Sequence, residues 1–207
     1  HELHPSPDTV HWAVFDAATK PLIEIESGDT VTLHTVSGGR DILPTDDALE
    51  ILPAHLDIHE NVEPGGGGHI MTGPVAVRGA KPGDVLEIRI KDVQLGTNWG
   101  WNRIRPLSGA LPEDFHETRL LHIPLDKDKM VANLPWGVDL PLKPFFGVMG
   151  VAPPGGQRIS SIPPGVFGGN VDNWRLGPGA SMLYPVFREG GGLYVGDPHF
   201  AQGDGEI

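Results

Sequence analysis

The densest run of chemistry-bearing residues in this chain is Gly196-Asp197-Pro198-His199-Phe200-Ala201-Gln202-Gly203-Asp204-Gly205-Glu206-Ile207. Asp197 and His199 are two residues apart, so on an extended backbone both side chains leave the same face. Asp204 and Glu206 repeat that spacing, and Gly203 and Gly205 let the chain turn or approach a ligand closely. Carboxylate and imidazole together suit a divalent cation, zinc first and calcium as the alternative. An open position on zinc lowers the pKa of a bound water toward about 7, and Glu206 is then placed to act as general base. The same residues also read as plain turn chemistry, with Gly-Asp pairs in β-turns, His199 on the surface and Glu206 opening an exposed strand.

A second cluster is Gly168-Gly169-Asn170-Val171-Asp172-Asn173-Trp174. Asp172 offers a further metal ligand and Asn170 a group to orient a carbonyl. The competing reading is an Asx-turn, in which Asn and Asp bond their own backbone. His69 follows the glycine run 65–68, a setting for a ligand or proton carrier on a loop held by rigid strands, or for a structural histidine. His11, His34, His55, His59, His116 and His122 have no comparably constrained setting and read as surface or satisfied core residues. Serine chemistry finds little support. Ser160-Ser161 lies in RISSIPPG without the small-residue surroundings of an amidase signature, and G-x-S-x-G, a phosphate loop and a dinucleotide fingerprint are all absent.

The elements that must position these groups are strands. The chain has 29 glycines and 21 prolines, yet the apolar runs between them alternate as strands do. Residues 21–26 (PLIEIE), the turn Ser27-Gly28-Asp29 and residues 30–36 (TVTLHTV) predict a hairpin. Residues 73–78 (GPVAVR), a Gly/Pro turn and residues 85–93 (VLEIRIKDV) follow the same plan, with Leu86, Ile88 and Ile90 on one face. Helical signal is sparse. Thr45-Asp46-Asp47 predicts a cap for a short helix over 48–52, stopped by Pro53, and 112–121 predicts another. From Pro124 onward, short strands split by PFFG, APPGG, IPPGVFGG and REGGG predict a mainly β protein, a β-sandwich or barrel-like domain with long Gly/Pro-rich loops and few short helices.

The 207 residues suffice for a single β-rich domain spanning 1–207, with possible sub-units 1–123 and 124–207. With no cysteine, disulfides, thiolate nucleophiles and cysteine zinc sites are excluded, so any metal rests on His, Asp or Glu. A net charge of -12 with scattered basic residues repels nucleic acid. No stretch approaches the roughly 18 to 20 apolar residues of a membrane span, and the first residues lack a basic-then-apolar signal, so a cytoplasmic protein is expected. The start at His1 and the strand-like end at Ile207 predict a chain incomplete at one or both ends, the C-terminus foremost.

NLPWG, LPLKPFFGVMGVAPP, SIPPGVFGGNVDN and GDPHFAQGDGE occur in this order and spacing, and GPVAVRGAKPGDVLEIRI precedes them. Together they resemble the acetamidase/formamidase family over nearly the whole chain beyond the first few dozen residues. The resemblance implies metal-dependent hydrolysis of a small-molecule amide, of the formamide or acetamide type, to carboxylate and ammonia by a β-rich enzyme, expected to be a homo-oligomer. Carried over, the family's GD-x-H-x-x-x-GDGE pattern falls on Asp197, His199, Asp204 and Glu206, and its GGN-x-D pattern on Asn170 and Asp172. The resulting expectations are Glu206 and Asn170 as catalytic groups, Asp197, His199, Asp172 and His69 as metal ligands, and Asp204 and Phe200 at the substrate. Two departures stand out: the stretch that family members carry after GDGE is absent, and Phe200 is a large side chain that narrows the pocket. The alternatives are a noncatalytic metal- or sugar-binding β-sandwich module and a related lactam hydrolase.

Overall fold

The computed structural model describes residues 1–204 and 206. Gly205, expected to help the chain turn, and Ile207, expected to lie in a strand, fall outside the described residues. In chain order the strands are β1 (Glu2–Leu3), β2 (Val10–Trp12), β3 (Val14–Asp16), β4 (Ile23–Ile25), β5 (Thr32–Leu33), β6 (Ile70–Val77), β7 (Val85–Arg89) and β8 (Trp99–Ile104). They continue as β9 (Arg119–Asp126), β10 (Val131–Leu134), β11 (Val138–Pro141), β12 (Phe145–Gly150), β13 (Arg158–Ser160), β14 (Gly168–Asn170), β15 (Ser181–Pro185) and β16 (Gly191–His199). The one α-helix among the described residues is α1 (Pro53–Asn61). The mainly β, sandwich-like architecture is as expected, built from several sheets with no closed barrel among the described residues.

The central sheet runs β14-β12-β16-β6-β2, and β6 organises it. One edge of β6 pairs antiparallel with β16; the other is shared between β2, antiparallel along Ile70–Thr72, and β4, parallel along Val75–Val77. All of β6 but its last residue is buried, as its largely apolar run IMTGPVAV suits a strand covered on both faces. The β7–β15 pair packs over this sheet. Between them lies the main core, where Phe15, Met71, Val148, Tyr184 and Tyr194 are almost fully buried. Each such side chain contributes roughly 1.5–3 kcal/mol of burial. The two tyrosine hydroxyls are satisfied, Tyr184 donating to Met149 O at 3.0 Å and Tyr194 to Asp16 O at 3.0 Å. A separate sheet, β11-β10-β9-β8, holds its own small core of Ile123, Leu125, Ala132 and Leu142.

Several local expectations fail for identifiable reasons. The hairpin predicted for 21–36 does not form: β4 joins β6 and β5 pairs in parallel with β1. The Gly28 turn reverses the chain, but non-local partners claim both strands. The second unit behaves likewise, since β6 stays in the central sheet while β7 pairs with β15. Its facial pattern does hold, with Leu86 and Ile90 buried and Ile88 packed against the core. Pro53 starts a helix instead of ending one. It occupies the first turn of α1 after Leu52, where a missing N–H costs nothing, and Asp46 only closes a turn by accepting from Ala48 N. The helix predicted for 112–121 is absent; residues from Arg119 belong to β9, paired with β8. PFFG does not split a strand, because Phe145–Gly150 is one continuous strand of the central sheet, between β14 and β16.

Candidate functional site

Gly147 lies on β12 between Phe146, which pairs with Pro198, and Val148, which pairs with Gly196, so it faces Asp197 across the ladder. A Cβ on Gly147 would sit 2.6 Å from Asp197 Oδ2 and 2.8 Å from His199 Nε2, and closer still to Asp172 Oδ1. Three candidate site side chains therefore converge on bare main chain. A glycine inside a strand marks a close approach of this kind, and the FFGVMG run carried that signal.

β16 supplies Asp197 and His199 at its end, and His199 Nε2 donates to Asp197 Oδ2 at 3.1 Å. The two side chains meet as their spacing predicts, but not on a regular strand, for Asp197 has φ +53°. Asp172 follows β14, and its loop is pinned when Val171 N and Asp172 N both donate to Gly147 O, at 3.0 and 3.2 Å. Asp172 Oδ1 then lies 3.6 Å from His199 Nε2. The ligand atoms of Asp172, His199 and Glu206 all fall within 4.8 Å of one another. Asp172, Asp197 and Glu206 are three of the six non-glycine residues with positive φ among the described residues. Such conformations cost about 1–3 kcal/mol each and collect where geometry serves a function.

His69 arrives from the other side of β16, off the glycine-rich loop before β6. Its Nε2 is 3.8 Å from Asp197 Oδ2, and its Nδ1 shares a 2.9 Å hydrogen bond with the fully buried Ser161 hydroxyl. Ser161 thus has a place that its surrounding sequence did not signal: it fixes the orientation of the His69 ring.

Three of the five buried side-chain polar atoms left without a hydrogen-bond partner among the described residues are Asn170 Oδ1, Asp172 Oδ1 and Gln202 Oε1. This disfavours the Asx-turn at Asn170 and Asp172; in the same segment it is Asn173 Oδ1 that accepts from Arg175 N, at 3.1 Å. Gln202 enters the site by donating from Nε2 to Asp172 O at 2.6 Å, a part that sequence reasoning missed. Burial, followed by the neighbouring Glu206 and Asp197 carboxylates, pushes the Asp172 carboxyl up to about 7. His199 is opposed by its own burial but raised on balance by Asp197, Asp172 and Glu206.

Asp204 lies apart from the cluster, its carboxylate accepting from the Trp174 indole at 2.6 Å, with the Lys143 ammonium 4.9 Å from that ring's centre. Asp172, Trp174, Gln202, Asp204 and Glu206 line a small, open depression at the surface. Phe200 lays its ring against Gly100 of β8 and packs on the core of the second sheet. It tethers the segment after β16, which Lys143 N also holds by donating to Phe200 O at 2.9 Å. Phe200 also borders a broad cleft that reaches Asp172, Asp197, His199 and His69.

The comparisons agree with the motif pattern. The model of the Acetamidase/Formamidase family matches residues 10–158 and 155–207. A formamidase of Methylophilus methylotrophus is 29% identical over a region covering 67% of this chain and 47% of its own. An acetamidase of Mycolicibacterium smegmatis is also 29% identical, covering 67% of this chain and 49% of its own. The crystal structure of an acetamidase from Bacillus halodurans superposes with a TM-score of 0.82 at 32% identity, covering 100% of this chain and 64% of that one. The chain thus spans about half the length of these curated relatives.

Proposed function

We propose that this chain, which belongs to the acetamidase/formamidase family, contributes to the hydrolysis of short-chain amides to carboxylate and ammonia at a centre holding a divalent cation. The observation that carries the reading is Asp172 Oδ1, buried without a hydrogen-bond partner among the described residues, over Gly147 beside Asp197 and His199 and within reach of Glu206. A buried carboxylate group of this kind calls for a compensating positive charge, and the donor set suits one. Asp172, Asp197 and His199 would hold the cation, with His69 alongside, and the mixture of imidazole and carboxylate favours zinc over calcium. When bound, the cation supplies the charge that polarises an amide carbonyl and acidifies a water.

The chain's own residues do the rest. Glu206 Oε takes a proton from the attacking water and passes one to the departing nitrogen, which leaves as ammonia. Asn170, with its side-chain oxygen free, accepts from the substrate's N–H and so orients the carbonyl toward the carboxylate cluster. Ser161 holds His69 with Nε2 toward Asp197. Trp174, held by Asp204, forms a wall of the small depression, which sets the room for the acyl group. The cluster draws His69 from residues 1–123 and its other members from 124–207, which supports reading the chain as one working unit. Exposed Trp136, Val138 and Leu140 at the edge of the second sheet support a homo-oligomer.

The test uses the full-length gene product. Ammonia release is measured on formamide, acetamide, propionamide and a cyclic lactam, before and after chelation and again after metal add-back. Turnover of linear amides that is lost on chelation and restored by zinc is expected. Full activity in a verified metal-free preparation sinks the metal reading, metal binding without turnover of any substrate identifies a binding module, and lactam turnover alone moves the enzyme to a related class. Glu206→Gln is expected to lower kcat by about 10²- to 10⁴-fold; a normal kcat removes Glu206 as the base.

A further inference from the structure

Glu2 opens β1 and His4 follows it, two residues apart on one face of the chain, and His34 follows β5, the strand with which β1 pairs in parallel. The register Leu3↔Leu33, continued by His34 N donating to Leu3 O at 3.0 Å, brings His4 and His34 side by side. Their rings stack with centroids 4.2 Å apart and planes 15° from parallel. Both Nε2 atoms then converge on one atom, Glu2 Oε1, at 2.8 Å from His34 and 3.3 Å from His4. The three ligand atoms lie within 4.8 Å of one another. In a four-coordinate zinc site with bonds of about 2.0–2.2 Å, neighbouring ligand atoms stand roughly 3.3 Å apart, and the two imidazole–carboxylate distances are already close to that. Its hydrogen bond with His34 and the proximity of His4 hold the Glu2 carboxyl below its ordinary range.

We infer that Glu2, His4 and His34 form a second metal site, separate from the carboxylate cluster on Gly147, which takes a borderline divalent ion such as zinc. Two imidazoles and one carboxylate select that class over magnesium or calcium, and exposure leaves the remaining position to water. The site joins two chain segments whose only ladder is a pair of two-residue strands, so occupancy acts as a clip on the N-terminal edge of the protein.

The experiment compares the tag-free chain with the His4→Ala/His34→Ala variant by zinc titration calorimetry and by metal content after gel filtration. Because both changes are at exposed residues, the variant keeps its fold, which circular dichroism verifies. The expected result is one equivalent of zinc fewer in the variant. Slowed amide exchange at Thr32 and His34 on zinc addition is expected in the parent only. Equal stoichiometry in the two proteins overturns the inference, as does zinc binding that leaves those two amides unchanged.

Discussion

Two groups of imidazole and carboxylate are separated in this molecule by their surroundings more than by their chemistry. At the N-terminal edge, Glu2, His4 and His34 are exposed and satisfy one another. On Gly147, Asp172, Asp197 and His199 are partly buried, two of them with positive φ, and Asp172 Oδ1 has no hydrogen-bond partner among the described residues. A solvated trio loses little when no ion is bound, so an ion there relieves no strain and gains only what its own bonds supply. The inner group carries repulsion and an unsatisfied acceptor, so a cation there removes a cost built into the fold. What separates a candidate reaction centre from a surface site is therefore the free energy stored in the side chains before anything binds.

The strongest way to break this contrast is Gly147→Ala. The added methyl occupies the point on which three side chains converge, so we expect loss of amidase activity by about 1000-fold or more together with loss of the inner metal, read by turnover and metal content. The outer zinc equivalent is expected to survive. Retained activity would show that the convergence over Gly147 is not the reaction centre.

Asp172→Asn follows, with a double signature. Removing one buried carboxylate relieves repulsion, so the metal-free protein is expected to melt at higher temperature. Activity is expected to fall by about 100-fold because a ligand is lost. A lower melting temperature in the metal-free state would mean that Asp172 stabilises the fold instead of straining it. The smallest effect is expected from Ser161→Ala, about 10-fold in kcat with metal affinity weakened to match. Ser161→Thr, which restores the hydroxyl, should recover part of it. An unchanged kcat would leave Ser161 a packing residue alone.

The sequence displays some of this plainly and hides the rest for physical reasons. Mainly β architecture was legible because turn residues and alternating apolar runs are local signals. Strand partners were not, since β4 and β5 each left their shared turn for non-local neighbours. Asp197 and His199 were legible through their spacing, and Asp172 and Glu206 through ordered motifs. Gly147 was not singled out because its contribution is an absent side chain, and Ser161 was weighed only as a nucleophile because its role depends on a histidine far away in sequence. His34 looked unconstrained because only the parallel pairing of β1 with β5 brings it to His4.

The inner cluster is assembled from the segment before β6, from β12, from the loop after β14 and from the end of β16, strands adjacent in the order β14-β12-β16-β6. None of its pairings is a local hairpin, so each requires closure of a long loop before any contact rewards it. No partly folded form with β16 detached can bring Asp197 and His199 to Asp172. During refolding, recovery of turnover should therefore trail the recovery of β-structure and coincide with the slowest folding phase, making catalysis a clock for the last strand to dock.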